Sequence, residues 1–221
     1  MINRYPEFKI MKDDEFAVLC VLSGINKFFG TLNISVDNLS KQNLYNIIYK
    51  LVNKQIVVYE GNEMVISKDI IPIIEELRNA ENIISFINTS GNINQTFYHN
   101  ITSEYCVNIE KRWEDSKSIW IRRVKKEDIL YICYDIQILP NIVELKHLKE
   151  EKKDTLKEVM NLENVSISLY DISTETKYRE IVFDKNGLEI SIVLKADTKE
   201  LYRELYAPKI LEDLVTSFIG E

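Results

Sequence analysis

The spacing of apolar residues predicts three helices in the first part of the chain. Residues 13–25, "DDEFAVLCVLSGI", start with carboxylates suited to a helix N-terminus and continue as a nearly unbroken apolar run, which indicates a buried helix. A second run has one apolar face, because its apolar residues recur at three- and four-residue intervals. These residues are Leu44, Ile47, Ile48 and Leu51. A third helix is predicted in "KDIIPIIEELRNA", with Pro72 in its first turn.

A short hairpin is predicted between the second and third helices. The run "IVVYEGNEMVIS" contains two β-prone stretches around a Gly-Asn turn. Helix, helix and hairpin together are the outline of a winged helix, so residues 1–68 are interpreted as a winged-helix-like segment. A DNA-reading helix would carry Arg and Lys along its exposed face, whereas Lys41, Lys50 and Lys54 are spread among Asn, Gln and Tyr. Lysines at this density are typical of a solvated face, and DNA contact is the less favoured interpretation.

Strands dominate from residue 81 onward. β-branched and aromatic residues with partial alternation predict strands in six stretches. These stretches are "ENIISFIN", "SEYCVNIEKRW", "KSIWIRRV", "NVSISLYDI", "KYREIVFD" and "LEISIVLK". Two hairpins are predicted, one through "EDSK" and one through "DKNG", and the second strand of each is expected to lead into a helix.

Several stretches of the chain match one another in the same order. "IWIRRVKKEDILY" (119–131) aligns without a gap with "ISIVLKADTKELY" (190–202), "ENIISFI" aligns with "ENVSISL", and "PNIVEL" aligns with "PKILEDL". The first copy has extra residues around "TSGNINQTFYHN". This order predicts an internal duplication with halves 69–150 and 151–221. Pairing the halves into one sheet would cover edges that each half leaves open.

The predicted fold class is therefore α+β. We expect a single domain, 1–221, with a quasi-two-fold body in which helical bundles flank a central antiparallel sheet. At 221 residues, with 45% apolar and 29% charged residues, the composition is that of an ordinary globular protein. Its net charge of −7 disfavours a general nucleic-acid binder. No apolar run approaches a membrane span of about 20 residues, and the N-terminus lacks the apolar core of a signal peptide. The expected location is cytoplasmic, with no membrane partner.

Candidate catalytic groups are few. Cys20, Cys106 and Cys133 are odd in number and widely spaced, so they predict neither a disulfide framework nor a metal pair. His99 precedes Cys106 closely enough for a Cys–His pair, but nothing supplies an orienting group or an oxyanion donor. His147 lies in a charged helical run and is expected to be solvated. We expect the protein to have no enzymatic activity, no cofactor and no metal. A thiol enzyme that uses Cys106 is the third alternative, after the two function hypotheses given below.

The chain resembles the EspG-like proteins of type VII (ESX) secretion systems in the order of its predicted elements. These elements are the early buried helix, the Leu-rich helix, the short apolar run and the two hairpin-plus-helix halves. The resemblance covers nearly the whole chain and rests on apolar patterns. It implies a quasi-two-fold sheet flanked by helical bundles. It also implies a cytosolic chaperone or adaptor that binds a helical secretion substrate before export. Mycobacterial members are rich in Ala, Arg and Leu and this chain is not, so a WXG100-like or LXG-like partner is expected.

The strongest candidate for a partner-binding surface is "EKRWEDSKSIWIRRVKK", which gathers basic residues around both tryptophans. Ile119 and Ile121 alternate as core-facing residues do, which puts Trp120 and Arg122 on the opposite face. Trp and Arg are enriched at binding hot spots. The alternative is that Trp120 packs under a helix and the basic residues pair with local Glu. The candidate partner-binding residues are Lys111, Arg112, Trp113, Trp120 and Arg122.

Two function hypotheses follow from these patterns. The first is a non-enzymatic chaperone or adaptor for a type VII secretion substrate, with a homodimer kept as an alternative assembly. The second is a winged-helix transcriptional regulator whose C-terminal α/β body senses a ligand or forms a dimer. A salt-sensitive interaction with DNA would separate the second from the first.

Overall fold

The chain folds as an α+β protein with one large antiparallel sheet, which confirms the predicted class. The computed structural model describes residues 6–25, 39–88, 93–112, 115–135, 165–174, 176–183, 189–194, 199–205 and 208–220. Within these ranges, nine strands form one sheet and two more form a separate hairpin. No helix in the described ranges is both long and apolar enough to cross a membrane.

The first helix begins where the sequence predicts. Strand β1 (Lys9–Lys12) leads directly into α1 (Asp13–Leu22), whose first turn carries Asp13, Asp14 and Glu15. The carboxylate of Glu15 accepts the backbone N–H of Lys12 at 2.7 Å, which satisfies a donor at the start of the helix. Gly24, at φ 72°, follows the helix in the left-handed conformation that glycine adopts without strain.

The second helix, hairpin and third helix are also present. Helix α2 (Lys41–Asn53) starts at Ser40, whose side chain accepts the backbone N–H of Asn43. Strands β2 (Val57–Glu60) and β3 (Glu63–Ile66) pair antiparallel around Gly61, at φ 66°. Helix α3 (Ile71–Asn79) has its proline in the first turn, where no backbone donor is lost.

The large sheet is built from two four-stranded meanders that meet in the middle, with β1 added at the edge next to β7. The strand order is β1-β7-β6-β5-β4-β8-β9-β10-β11, and every neighbouring pair is antiparallel. The first meander is β4 (Asn82–Asn88), β5 (Ile93–His99), β6 (Tyr105–Arg112) and β7 (Asp115–Lys125). The second is β8 (Val165–Asp171), β9 (Thr176–Phe183), β10 (Glu189–Leu194) and β11 (Lys199–Leu205). At the centre, Ser85 of β4 lies opposite Ser168 of β8.

A helix follows each meander. After β7 the chain forms a 3₁₀ turn (Lys126–Asp128) and α4 (Ile129–Asp135), as predicted for the first half. After β11 it forms α5 (Pro208–Gly220). The "PNIVEL" stretch and His147 lie outside the described residues.

One strand is absent from the sequence prediction, and one predicted helix is wrong. The extra residues around "TSGNINQTFYHN" contain strand β5. The run after β10, expected to be helical, contains strand β11. The match of 119–131 with 190–202 therefore aligns β7 and α4 with β10 and β11, whereas position in the meander pairs β7 with β11. The duplication itself stays a prediction.

Each face of the sheet packs on its own apolar cluster. Helices α1 to α3 cover one face, called here the α1–α3 face, where Ile109, Ile119 and Ile121 are buried with residues of those helices. Helices α4 and α5 pack on the other face, called the α4–α5 face, against Ile84 and Phe97. A sheet with apolar residues on both sides requires cover on both sides, and the helices supply it.

Candidate binding surfaces

The predicted partner-binding residues do not form one surface. Opposed residues of an antiparallel pair share a face, and Lys111 lies opposite Ile119 on the α1–α3 face, while Glu110 lies opposite Trp120 on the α4–α5 face. Arg112 belongs to β6, but the position of its side chain is not described. Trp113 lies outside the described residues. Lys111 pairs with Asp13 at 3.2 Å, away from Trp120.

Trp120 and Arg122 do lie together, and they pack against the chain itself. The ring of Phe8 meets Trp120 edge to face at a centroid distance of 5.8 Å, and the guanidinium of Arg122 lies 4.1 Å from the same ring. The alternation inferred from Ile119 and Ile121 is confirmed, since both are buried. Arg122, however, is only 7% exposed, so its side chain is not presented to solvent as a hot-spot residue would be.

Two other basic residues of this stretch pair with carboxylates, one of them local, as the alternative interpretation expected, and one on α3. Arg123 contacts Glu76 at 2.8 Å, and Lys125 contacts Glu127 at 3.1 Å. These ion pairs and the burial of Arg122 leave Trp120, which is half-buried, as the member of the predicted set nearest to a surface role. Whether it binds a partner stays a prediction.

A buried polar network crosses three strands on the α4–α5 face. Arg122 Nε donates to Asn108 Oδ1 at 3.0 Å, and Asn108 Nδ2 donates to Gln95 Oε1 at 2.6 Å. Gln95 Nε2 in turn donates to Glu110 Oε2 at 2.6 Å. All four residues are buried. A connected network of this kind fixes the register of β5, β6 and β7, because a shift by one residue would leave each polar group buried without its hydrogen-bond partner.

Sequence reasoning missed this network, although the sequence contains its signal. Gln95 and Phe97 are two residues apart on β5, and Asn108 lies between Cys106 and Glu110 at the same spacing on β6. Polar and apolar residues therefore share one face of the sheet. Alternation identifies a face, but it does not show that a polar side chain finds a partner there. Strand pairing supplies that information.

The two members of the Cys–His pair that the sequence allows are adjacent in the sheet, with Cys106 directly opposite His99. Burial raises the pKa of the Cys106 thiol above its usual range. Burial, assisted by the charge of Lys126, lowers the pKa of His99 to about 4. Neither ring nitrogen of His99 has a hydrogen-bond partner. At neutral pH the thiol is protonated and the imidazole is neutral, which is the opposite of an activated thiolate.

The other two thiols are similarly placed. Burial raises the pKa of Cys20 to about 12, and burial next to Cys106 raises the pKa of Cys133. Among the described residues, no group of three or more His, Cys, Asp or Glu is placed to hold a metal ion.

A polar groove of about 580 Å³ opens between the end of α3 and the β5–β6 loop. Its most buried carboxylate, Glu76, accepts hydrogen bonds from Arg123 and Ser103. The amide of Asn100 donates to the carbonyl of Asn79 across the groove at 2.9 Å. These bonds hold the loop against the helix. The groove is lined by Glu75, Glu76, Arg78, Asn79, Ala80, Glu81, Asn100, Thr102 and Ser103.

The outer side of α2 carries two exposed aromatic side chains, more than any other element among the described residues. Tyr45 is 68% exposed and Tyr49 is 67% exposed, one helical turn apart. We call this surface the tyrosine face. It comprises Lys41, Gln42, Tyr45, Asn46, Tyr49, Lys50 and Asn53, all of which are exposed. Sequence reasoning identified the buried side of α2 and overlooked this opposite side.

The hairpin adds a second exposed group next in sequence to α2. Tyr59 and Met64 lie directly opposite each other near its tip and are 62% and 47% exposed. Glu60 and Glu63 are the next opposed pair, so the tip carries two carboxylates face to face. The sequence as a whole matches no protein-family model and no curated protein.

Proposed function

We propose that this protein is a non-enzymatic adaptor that binds a helical protein, in the manner of a chaperone for a type VII secretion substrate. The observation that carries the proposal is the architecture of the sheet. Two antiparallel meanders meet at β4 and β8, helices pack on both faces, and a helix follows each meander. A body of this kind is what the resemblance to EspG-like proteins implies.

Exposed aromatic side chains support a binding role. Tyr and Met are enriched at protein interfaces, and Tyr offers a large contact area at a modest entropic cost. Tyr45, Tyr49, Tyr59 and Met64 are all exposed on the segment between β1 and β4. A client that presents an apolar helical surface, such as a WXG100-like or LXG-like protein, would be kept soluble by covering that surface.

Binding to such clients tests the proposal. The purified protein would be mixed with each WXG100-like and LXG-like protein of the same genome, and complexes would be measured by light scattering after gel filtration. We expect a defined complex with at least one client, and none with a cytosolic helical protein of the same size and charge. If every candidate client elutes separately, even after co-expression, the proposal fails.

One observation favours a second candidate, the winged-helix regulator. Helix α2 runs directly into the β2–β3 hairpin, as a recognition helix runs into a wing. The carboxylates of Glu60 and Glu63 at the hairpin tip oppose it, because a wing lies along phosphates and two anions there would be repelled. Gel shifts with DNA from upstream of its own gene would reveal a regulator by a complex that weakens steeply with salt.

A further inference from the structure

We propose that the tyrosine face of α2 is the docking site for an acidic amphipathic helix of a partner protein. The inference rests on the proposed function in one respect, since it names the class of helix that the adaptor would bind. It is carried by the exposure, the charge and the geometry of one helix.

The two sides of α2 differ sharply in burial. Ile47 and Leu51 are 3% and 0% exposed and fix the helix on the core. Tyr45 and Tyr49 project from the opposite side, each about two-thirds exposed. Because residues four apart lie one above the other, Tyr45 and Tyr49 lie on one side of the helix, about 6 Å apart along the axis, and we call them the tyrosine strip. The helix is therefore anchored independently of its tyrosines.

The charge of the tyrosine face is opposite to that of the whole chain. The protein has a net charge of −7, yet α2 contains Lys41 and Lys50 and no Asp or Glu. No described carboxylate forms an ion pair with either lysine. Lys54, just beyond the helix, differs because Glu15 already neutralises it at 2.5 Å. The two helix lysines are available to an external anion.

The positions of Lys41 and Lys50 determine where a binding partner must place its negative charges. At about 100° per residue, Lys41 and Lys50 project on opposite flanks of the tyrosine strip, about 13 Å apart along the axis. A partner must place apolar atoms on the strip and carboxylates on both sides of it. An amphipathic helix with an apolar stripe bordered by Glu or Asp has this arrangement, and a helix laid on another helix buries such a stripe.

Phosphate is a poorer match than carboxylate. A duplex lying on α2 would bring its backbone near the hairpin that follows, whose tip carries Glu60 opposite Glu63. Repulsion there would offset the attraction of two lysines, since affinity for nucleic acid depends on the number of phosphates neutralised. The observations therefore favour an acidic protein segment.

The first experiment uses two synthetic helical peptides. Both carry the same Leu stripe; one has Glu on both borders and the other has Lys. We expect the wild-type protein to bind the Glu-bordered peptide, and the Tyr45→Ala/Tyr49→Ala variant to lose about tenfold or more in affinity. The matched control, Ile71→Ala/Ile101→Ala, removes exposed apolar side chains from α3 and the β5–β6 loop and should bind as the wild type does. Thermal unfolding should be unchanged in both variants, because all four side chains are exposed.

The second experiment reverses the charges. The Lys41→Glu/Lys50→Glu variant should lose the Glu-bordered peptide and gain the Lys-bordered one. Equal binding of both peptides by the wild type would overturn the inference. So would unchanged affinity in the tyrosine variant. Duplex DNA binding that disappears in the same variants would assign the face to nucleic acid and would also overturn it.

The two proposals fail in different ways. If a full-length secretion substrate binds the wild type and the tyrosine variant equally, the adaptor function stands and the tyrosine face is not its site. If the Glu-bordered peptide binds through the tyrosines while no secretion substrate binds, the docking site stands and the secretion role falls.

Discussion

Replacing Arg122 with Met tests the buried network on the α4–α5 face. Met preserves much of the aliphatic stem and removes the guanidinium. Asn108 Oδ1 then loses its 3.0 Å donor in a site from which water is excluded, and Phe8 loses the cation 4.1 Å from its ring. The variant should fold less stably and should not simply lose a surface contact.

The magnitude follows from these two contacts. A hydrogen bond from a charged group to a buried acceptor contributes about 1.5–3 kcal/mol. A desolvated cation–π contact adds about 1–2 kcal/mol. We expect Arg122→Met to lower the free energy of unfolding by about 3 kcal/mol, since some of the loss is recovered by burying a methyl group in place of a charge.

The neighbouring residue supplies a matched control. Arg123 lies on the opposite face of the same strand, with one ion pair to Glu76 and one ring contact to Tyr105 at 3.6 Å. Its side chain is 33% exposed, so water screens the ion pair. Arg123→Met should therefore cost only about 1 kcal/mol.

Urea titration followed by tryptophan fluorescence and circular dichroism measures both variants. The asparagine adds a further test, because Arg122→Met should cost less in an Asn108→Leu background, where no acceptor remains to be orphaned. Equal losses for the two arginines, or strict additivity with Asn108→Leu, would show that the network does not stabilise the sheet as argued.

Three further results are expected. Native Cys20, Cys106 and Cys133 should react with iodoacetamide far more slowly than free thiols at pH 7, and rapid alkylation of Cys106 would restore the thiol-enzyme alternative. Because the pKa of His99 falls from 6.5 to about 4 on folding, the contribution of neutral His99 to the free energy of unfolding is complete above pH 6.5 and is lost as pH falls toward 4. This loss amounts to about 3 kcal/mol. The His99→Leu variant should not show this loss at low pH. Parallel profiles of unfolding free energy against pH for the variant and the wild type would contradict the argument. Glu15→Ala should cost about 2 kcal/mol by urea titration, because it removes the acceptor of the Lys12 N–H just before α1 and the partner of Lys54. Full stability in that variant would show that the cap is dispensable.

The segment between β1 and β4 could be predicted closely because its signals are local. Helix α1 follows from an acidic start and an apolar run, α2 from three- and four-residue spacing, and the hairpin from its Gly-Asn turn. Each depends on residues within one or two turns of one another. The alternation of Ile119 and Ile121 is equally local, and it correctly predicts that the two residues share one buried side of β7.

Elements whose form depends on a distant partner could not be predicted in this way. The run "KELYREL" is compatible with a helix or a strand, and it becomes β11 because β10 lies alongside it. Strand β5 was overlooked for the same reason, since its polar residues fit a sheet only when β6 supplies their hydrogen-bond partners.

The candidate sites divide along the same line. The sequence by itself determined that Trp120 and Arg122 share a side of β7 and that α2 has an apolar side. Only the tertiary structure decided that Arg122 is buried beside Phe8, while Tyr45 and Tyr49 stay exposed. Periodicity fixes the direction in which a side chain points. What it meets there depends on segments far away in the chain, because burial is a property of the packed fold.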